Sequence, residues 1–139
     1  MTDPDLLAKR LATIDTCVRE LRELARTDAI RTDVREQRFV EHTLQLAIQA
    51  ALDAASHIVS DERLGEPRTN RELFTLLARA GWIDAALAAK LGDMAGFRNI
   101  LVHGYDNVDL AVVEDVAAHR LDDLLRFAAV VRERIGGEQ

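Results

Sequence analysis

Residues 44–59 read LQLAIQAALDAASHIV, a run in which apolar residues recur at helical spacing. The main stripe comprises Leu44, Ala47, Ala51, Ala54 and Ile58. Its face is widened by Leu46, Ile48, Ala50 and Ala55. A helix that is apolar over so much of its circumference is buried on more than one side. We therefore expect a helix from about Asp33 to Val59 that lies at the centre of a helical bundle.

The segments on both sides of this helix also have helical patterns. In the first of them, apolar residues alternate steps of four and three, as in a helix that packs on another: Leu7, Leu11, Ile14, Val18, Leu21 and Ala25. No segment alternates with a strand period for long enough to indicate a sheet. The other predicted helices cover 3–27, 69–77, 84–103 and 109–135. The expected fold is all-α, an antiparallel helical bundle of four long helices plus one short helix, in a single domain of residues 1–139.

Composition excludes several classes of protein. Hydrophobic residues make up 48% of the chain, which argues against disorder. The only cysteine is Cys17, so an internal disulfide framework is excluded and a reducing compartment is favoured. No apolar run approaches the length of a membrane span, and the acidic N-terminus lacks a signal-peptide core. We expect a cytoplasmic protein with no membrane partner.

The formal net charge of −6 bears on nucleic-acid binding. Sequence-independent binding depends on a positive surface, so this charge weakly disfavours it. A local cluster of arginines can still be positive on an acidic protein. The charge therefore leaves a small RNA site open.

Arg98 breaks the apolar pattern of the fourth predicted helix. The seam of that helix comprises Leu87, Leu91, Met94, Arg98 and Leu101. A charge in such a position costs free energy unless it is paired or reaches water. Breaks of this kind are expected at functional sites. The alternative is an arginine that extends out of the end of the bundle or pairs with a buried carboxylate.

A second face of the same helix carries Gly92, Gly96, Asn99 and His103, at steps of four, three and four. Each glycine in a helix interior costs about 1 kcal/mol relative to alanine. The close approach of another backbone would compensate, either from a neighbouring helix of this chain or from a partner subunit. Asn99 and His103 lie one turn apart on this face and can address the same ligand.

Arg98, His103 and Tyr105 together suggest a phosphate site at the end of this helix. An arginine offers a forked, charge-assisted contact to phosphate oxygens. A histidine titrates near neutral pH and can accept or donate a proton. Tyr105 adds a hydroxyl on the following turn. The alternative for His103 is a structural role, with its ring hydrogen-bonded to the last carbonyls of the helix.

Residues 94–105 read MAGFRNILVHGY, and this run resembles the signature of the HepT proteins, which are toxins built on a HEPN domain. The shared pattern is an arginine, a polar residue directly after it, a histidine and then a tyrosine, at Arg98, Asn99, His103 and Tyr105. The resemblance extends over about residues 33–115. It implies a HEPN-like bundle that forms a homodimer, with two copies of the motif in one cleft.

The resemblance also implies an activity and a partner. It implies the toxin of a toxin–antitoxin pair, a ribonuclease that cleaves RNA without a metal or other cofactor by attack of the substrate's 2′-hydroxyl. His103 would be the general base or acid, Arg98 would stabilise charge on the phosphate, and Asn99 would orient either of them. An MNT-type nucleotidyltransferase antitoxin would attach AMP to Tyr105. From the spacing of this helix face we further hypothesise that Gly92 and Gly96 face the partner subunit, in which case His103 on the same face points into the dimer cleft.

Two other functions fit the same residues. One is a non-catalytic HEPN partner that binds a nucleotide or the nucleotidyltransferase, with the cluster serving recognition. The other is a helical dimerisation module without chemistry. The intact motif favours the enzyme, the net charge slightly favours the non-catalytic partner, and Arg98 on the apolar seam argues against the plain module.

Overall fold

The computed structural model describes residues 3–103 and 108–137. Within them lie a short 3-10 helix, Thr27–Ala29, and six α-helices: α1 Pro4–Leu24, α2 Val34–Asp61, α3 Asn70–Arg79, α4 Ala85–His103, α5 Leu110–His119 and α6 Leu121–Gly137. The expected all-α class is confirmed. In this part of the chain no helix combines the length and the apolar character that crossing a bilayer requires.

The helix starts follow from local side-chain chemistry. Asp3 caps α1 by accepting hydrogen bonds from the backbone N–H groups of Asp5 and Leu6, and Pro4 fills the first helical position. Thr69 caps α3 by accepting from the N–H of Glu72 at 3.2 Å. These side chains satisfy N–H groups that have no partner inside the helix. The predicted starts of both helices are confirmed to within a residue.

The helix α2 is central, as its sequence predicts. It packs against each of the other five α-helices. Twelve of its residues are buried, including Leu44, Ala47, Ala51, Ala54 and Ile58 of the predicted stripe. Leu46, which was expected to widen the apolar face, is 44% exposed. The alanines of this helix let its neighbours approach closely on several sides, and α2 thereby forms the support for α4.

The predicted last helix is divided into two, α5 and α6. Arg120 separates them with φ −113° and ψ −2°, and its N–H still donates to the carbonyl of Val116. α5 packs on α2 and on the 3-10 helix, whereas α6 packs on α1, α2 and α4. One straight helix could not follow both sets of neighbours. The bundle therefore contains one more helix than the sequence pattern indicates.

The turn between α3 and α4 sets the direction of α4. Gly81 has φ +82°, a left-handed conformation in which a side chain would be strained. The N–H groups of Gly81 and Trp82 donate to the carbonyls of Ala78 and Leu77, which closes the end of α3. Asp84 then accepts from the N–H of Leu87 at 2.7 Å. The chain reverses here, so α3 lies antiparallel against α4.

Candidate functional site

The last turn of α4 leaves the core of the bundle. Earlier in the helix Leu91, Met94 and Ala95 are buried, together with Phe97. Beyond Phe97 exposure rises, and Ile100 is 50% exposed. The end of α4 therefore presents Asn99, Ile100 and His103 at the surface, while Leu101 still packs against the core.

Arg98 is half-buried, and its guanidinium has few partners. Its Nε is fully buried and has no hydrogen-bond partner within the part of the chain that the structure describes. One terminal nitrogen donates to Oδ1 of Asn99 at 3.4 Å. No ion pair joins Arg98 to a carboxylate of the described residues. The alternative that Arg98 pairs with a buried carboxylate is thus not seen among these residues. A buried donor without a partner costs free energy, and a bound anion would offset that cost.

Asn99 and His103 are both exposed. They lie one turn apart on α4, and His103 is the last residue of the helix. Arg98 is about 140° around the helix from His103 and about 7.5 Å below it. The contact with the Asn99 amide directs the guanidinium toward the face that carries Asn99 and His103. The structure therefore brings the guanidinium of Arg98 into contact with the amide of Asn99 near the open end of α4. That His103 joins them in one site stays a prediction.

Gly92 and Gly96 begin the same face of α4, but their surroundings differ. Gly92 is buried beneath the side chain of Arg71 from α3. A Cβ on Gly92 would lie 2.9 Å from Cγ of Arg71 and 2.9 Å from its Nη1. A Cβ on Gly96 would lie 3.8 Å from Nη2 of Arg71, an ordinary contact, and Gly96 is exposed. The neighbour that Gly92 accommodates is thus a side chain of the same chain. That Gly92 and Gly96 line a dimer cleft stays a prediction.

Arg71 is the residue of this region that the sequence analysis missed. Its Nη1 lies 3.0 Å from Oδ1 of Asp93, and its side chain is 55% exposed. It stands in the first turn of α3, where the helix dipole disfavours a positive charge. A positive charge in the first turn of a helix is the only sign in the sequence that could have singled out Arg71. It is a weak sign, because it does not indicate that Arg71 packs on Gly92.

Tyr105, the predicted site of AMP attachment, lies outside the described residues, as do all of residues 104–107. The chain that follows them makes contacts at the start of α5 and within it. Asp109 caps α5 by accepting from the N–H of Ala111 at 2.9 Å. Arg31 forms a fork to Glu114 of α5, with distances of 2.7 and 3.2 Å. The carboxylate of Glu114 raises the pKa of Arg31. The chain that follows residue 107 is therefore tied to the bundle through α5.

The other histidines and the cysteine differ in their surroundings. Nε2 of His57 lies 3.1 Å from Oδ2 of Asp61, one turn further along α2. His42 and His119 are exposed. Cys17 is buried, and burial together with the charge of Glu20 raises its pKa. Residues 3–103 and 108–137 contain no group of three or more His, Cys, Asp or Glu side chains placed to hold a metal ion.

Comparison with known proteins identifies the family. Residues 14–131 match the family described as ribonuclease HepT-like. The chain belongs to the HepT-like ribonuclease family. The matched range contains α2, α3, α4 and α5 in full, and it includes every residue of the candidate site.

Individual HepT-like relatives agree over most of the chain. An mRNA nuclease HepT from Shewanella oneidensis is 33% identical over 129 residues, which cover 92% of this chain and 97% of that protein. A tRNA nuclease HepT from Aphanizomenon flos-aquae is 32% identical over 109 residues, 77% of this chain and 74% of that one. A structure of a tri-AMPylated Shewanella oneidensis HEPN toxin in complex with an MNT antitoxin matches with a TM-score of 0.87 at 32% identity, covering 94% of this chain and 99% of that one. The expected HEPN-like bundle is thereby confirmed.

Proposed function

We propose that this HepT-like protein is the toxin of a toxin–antitoxin pair and that it cleaves RNA at the end of α4 without a metal ion. The observation that carries the proposal is the half-buried guanidinium of Arg98, whose Nε lacks a partner among the described residues. It contacts the exposed Asn99, and the exposed His103 ends the same helix. The nuclease names of two relatives support it. Because its substrate is cellular RNA, the protein acts in the cytoplasm.

In the proposed reaction the RNA supplies its own nucleophile. The imidazole of His103 accepts the proton of a 2′-hydroxyl, and the freed oxygen forms a bond to the adjacent phosphorus. The bond from phosphorus to the 5′-oxygen of the next nucleotide breaks, and that oxygen takes up a proton. The products are a 2′,3′-cyclic phosphate and a 5′-hydroxyl end. No oxidant, reductant or second substrate is needed.

Arg98 stabilises the charge that develops on the phosphate. In the transition state the non-bridging oxygens gain negative charge, and a fixed guanidinium donates to them without reorganisation. The partly buried position strengthens this interaction, because less water screens it. Oδ1 of Asn99 accepts a hydrogen bond from the guanidinium of Arg98 at 3.4 Å, and Asn99 orients either Arg98 or His103.

The proposed active form is a homodimer. In a single chain Asn99, Ile100 and His103 stand open to solvent. A second copy placed against this face of α4, with Gly96 at the contact, closes the site and brings two imidazoles to one phosphate. One imidazole then accepts the proton of the 2′-hydroxyl while the other donates to the leaving oxygen.

The proposed antitoxin is an MNT-type nucleotidyltransferase, as in the complex of the Shewanella oneidensis toxin. The phenolic oxygen of Tyr105 attacks the α-phosphorus of ATP, and pyrophosphate leaves. The attached AMP adds a bulky anion two residues beyond His103. It blocks the RNA sterically and repels its phosphates.

The decisive experiment is RNA cleavage by the purified, unmodified protein in EDTA. We expect products with cyclic phosphate ends, and a loss of at least about 100-fold in rate for His103→Ala and for Arg98→Ala. His119→Ala is the matched control, since His119 is likewise an exposed histidine at the last position of a helix. It should cleave at the unaltered rate.

Arg98→Lys separates charge from geometry. A lysine keeps the charge but not the fork, so we expect partial activity between those of Arg98 and Arg98→Ala. Absence of cleavage by the unaltered protein, with nucleotidyltransferase binding intact, would instead establish the non-catalytic partner. Equal activity of His103→Ala and His119→Ala would exclude His103 from the chemistry.

A further inference from the structure

A groove of ≈ 570 Å³ lies between α3 and the first half of α4. One wall is a line on α3 at steps of four residues, Arg71, Thr75 and Arg79. The α4 side is lined by alanines, Ala85, Ala88 and Ala89. These small residues leave the groove open, and the two arginines of α3 stand about 12 Å apart along that helix.

The charges of the groove favour an anion. Arg79 is exposed and pairs with none of the acidic side chains that the structure describes. The carboxylate of Asp84, at the α4 end, is occupied by Arg126 at 3.1 Å. Asp93 is occupied by Arg71 at 3.0 Å. Each acid at the groove is thus neutralised, and Arg79 leaves a net positive charge on a chain of net charge −6.

Arg71 links one end of the groove to the face of α4 that carries the candidate active-site residues. The guanidinium of Arg71 spans from Gly92 to Gly96, because Nη1 lies against the first and Nη2 against the second. Gly96 shares its face of α4 with Asn99 and His103. From Gly96 to His103 the distance along the helix is about 10 Å. A strand that enters the proposed dimer cleft from the groove therefore passes Arg71 before it reaches His103.

We propose that the α3–α4 groove binds the single strand of RNA that flanks the cleaved bond, with Arg71 and Arg79 each contacting a backbone phosphate. This rests on the proposed ribonuclease function and adds to it the path of the substrate. Arginine forks fit phosphate oxygens, and contacts to the backbone hold a strand without reading its sequence. The 55% exposure of Arg71 leaves guanidinium nitrogens accessible while its stem packs on Gly92.

The test measures RNA binding separately from cleavage. All variants are made in a His103→Ala background, and binding of a short fluorescein-labelled single-stranded RNA of mixed sequence is followed by anisotropy over a range of salt concentrations. We expect Arg71→Gln and Arg79→Gln each to weaken binding about 5- to 10-fold and to reduce the dependence of log Kd on log salt by about 0.7. Arg19→Gln, an exposed arginine on α1, makes the same change in net charge and should bind within twofold of the background.

Asp93→Asn distinguishes binding of RNA from a purely structural role of Arg71. If Arg71 only braces α3 against α4, loss of the ion pair lowers thermal stability and leaves RNA affinity unchanged. If Arg71 binds phosphate, removing the competing carboxylate raises RNA affinity, and we expect a gain of about twofold or more. The double variant Arg71→Gln/Asp93→Asn should lose that gain.

Three results would overturn the proposal that the groove binds RNA. In the first, Arg71→Gln and Arg79→Gln bind RNA as tightly as Arg19→Gln does, while cleavage still depends on Arg98 and His103. The active site would then stand, and the RNA would bind elsewhere on the protein. Weakened nucleotidyltransferase binding with unchanged RNA binding would make the groove a protein-docking surface. RNA neither bound nor cleaved by any form would remove the ribonuclease function and the groove together.

Discussion

Arg71 of α3 lies across Gly92 of α4 so closely that a Cβ on Gly92 would be 2.9 Å from the arginine's Cγ. The glycine lets α3 place a guanidinium on the outer face of α4, where it pairs with Asp93 at 3.0 Å. Gly92 therefore costs helix propensity in α4, but its lack of a side chain allows the Arg71 guanidinium to lie in this position. Gly96, one turn later, has only an ordinary contact with the same side chain at 3.8 Å.

We expect Gly92→Ala to displace Arg71 without unfolding the chain. Alanine gains about 1 kcal/mol of helix propensity, which offsets the loss of an exposed ion pair worth less than that. The free energy of unfolding in urea should stay within about 1 kcal/mol of the unaltered protein. RNA affinity should fall about as far as in Arg71→Gln. Unchanged affinity would contradict the role given to the position of Arg71.

Gly96→Ala tests the predicted dimer cleft. Within one chain the added methyl meets only Nη2 of Arg71 at an ordinary distance, so the helix should gain up to about 1 kcal/mol. If Gly96 lies at the contact with a second copy, the methyl separates the two helices. The dissociation constant of the dimer then rises. Sedimentation equilibrium gives the dissociation constant and urea unfolding gives the stability. A dimer as tight as the unaltered one would place Gly96 outside the interface.

We expect Arg98→Met to stabilise the protein while it abolishes cleavage. Methionine fills the seam position and removes a buried donor that has no partner among the described residues. The gain in the free energy of unfolding should be about 0.5–1 kcal/mol, and the cleavage rate should fall at least 100-fold or so. Thermal unfolding and RNA cleavage on the same preparation check both. A less stable variant would show that Arg98 supports the fold.

Tyr105→Phe should separate cleavage from neutralisation. Phenylalanine keeps the ring but lacks the oxygen that accepts AMP, so RNA cleavage should persist in the presence of the nucleotidyltransferase and ATP. Intact-mass measurement should show AMP on the unaltered protein and none on the variant. If the variant still gains AMP and loses activity, another residue is the acceptor.

Cys17 should make stability fall at alkaline pH. Burial, with a smaller effect from Glu20, raises the pKa of its thiol in the folded chain. As the pH rises past the ordinary thiol pKa, the unfolded chain loses this proton before the folded chain does. The free energy of unfolding therefore declines until the pH reaches the folded pKa, above which this decline stops. Urea unfolding at a series of alkaline pH values should therefore show a decline in stability that is smaller in Cys17→Ala. Equal declines would mean that the thiol does not ionise on unfolding in this range.

The local features of the fold could be predicted because they depend on neighbours in the sequence. Asp3 and Thr69 cap their helices through contacts two or three residues away. The central position of α2 follows from apolar residues around most of its circumference. Arg98 could be singled out because it breaks a period that its own helix defines.

The division at Arg120 could not be predicted in the same way. Ala117 and Leu121 keep a step of four residues across the break, so the apolar period continues through it. The exposure of Leu46 is similarly invisible in the sequence, because it depends on which sides of α2 other helices cover.

By itself the sequence determined the helices apart from the break at Arg120, the starts of the first five, the buried stripe of α2 and the candidate residues Arg98, Asn99 and His103, because helix periodicity and capping act over a few residues. Only the tertiary structure decided that Arg71 covers Gly92, that Arg98 keeps an unpartnered Nε within the described chain, and that α3 and α4 enclose a groove. Those relations join residues that are distant in the chain, and packing of the whole bundle sets them.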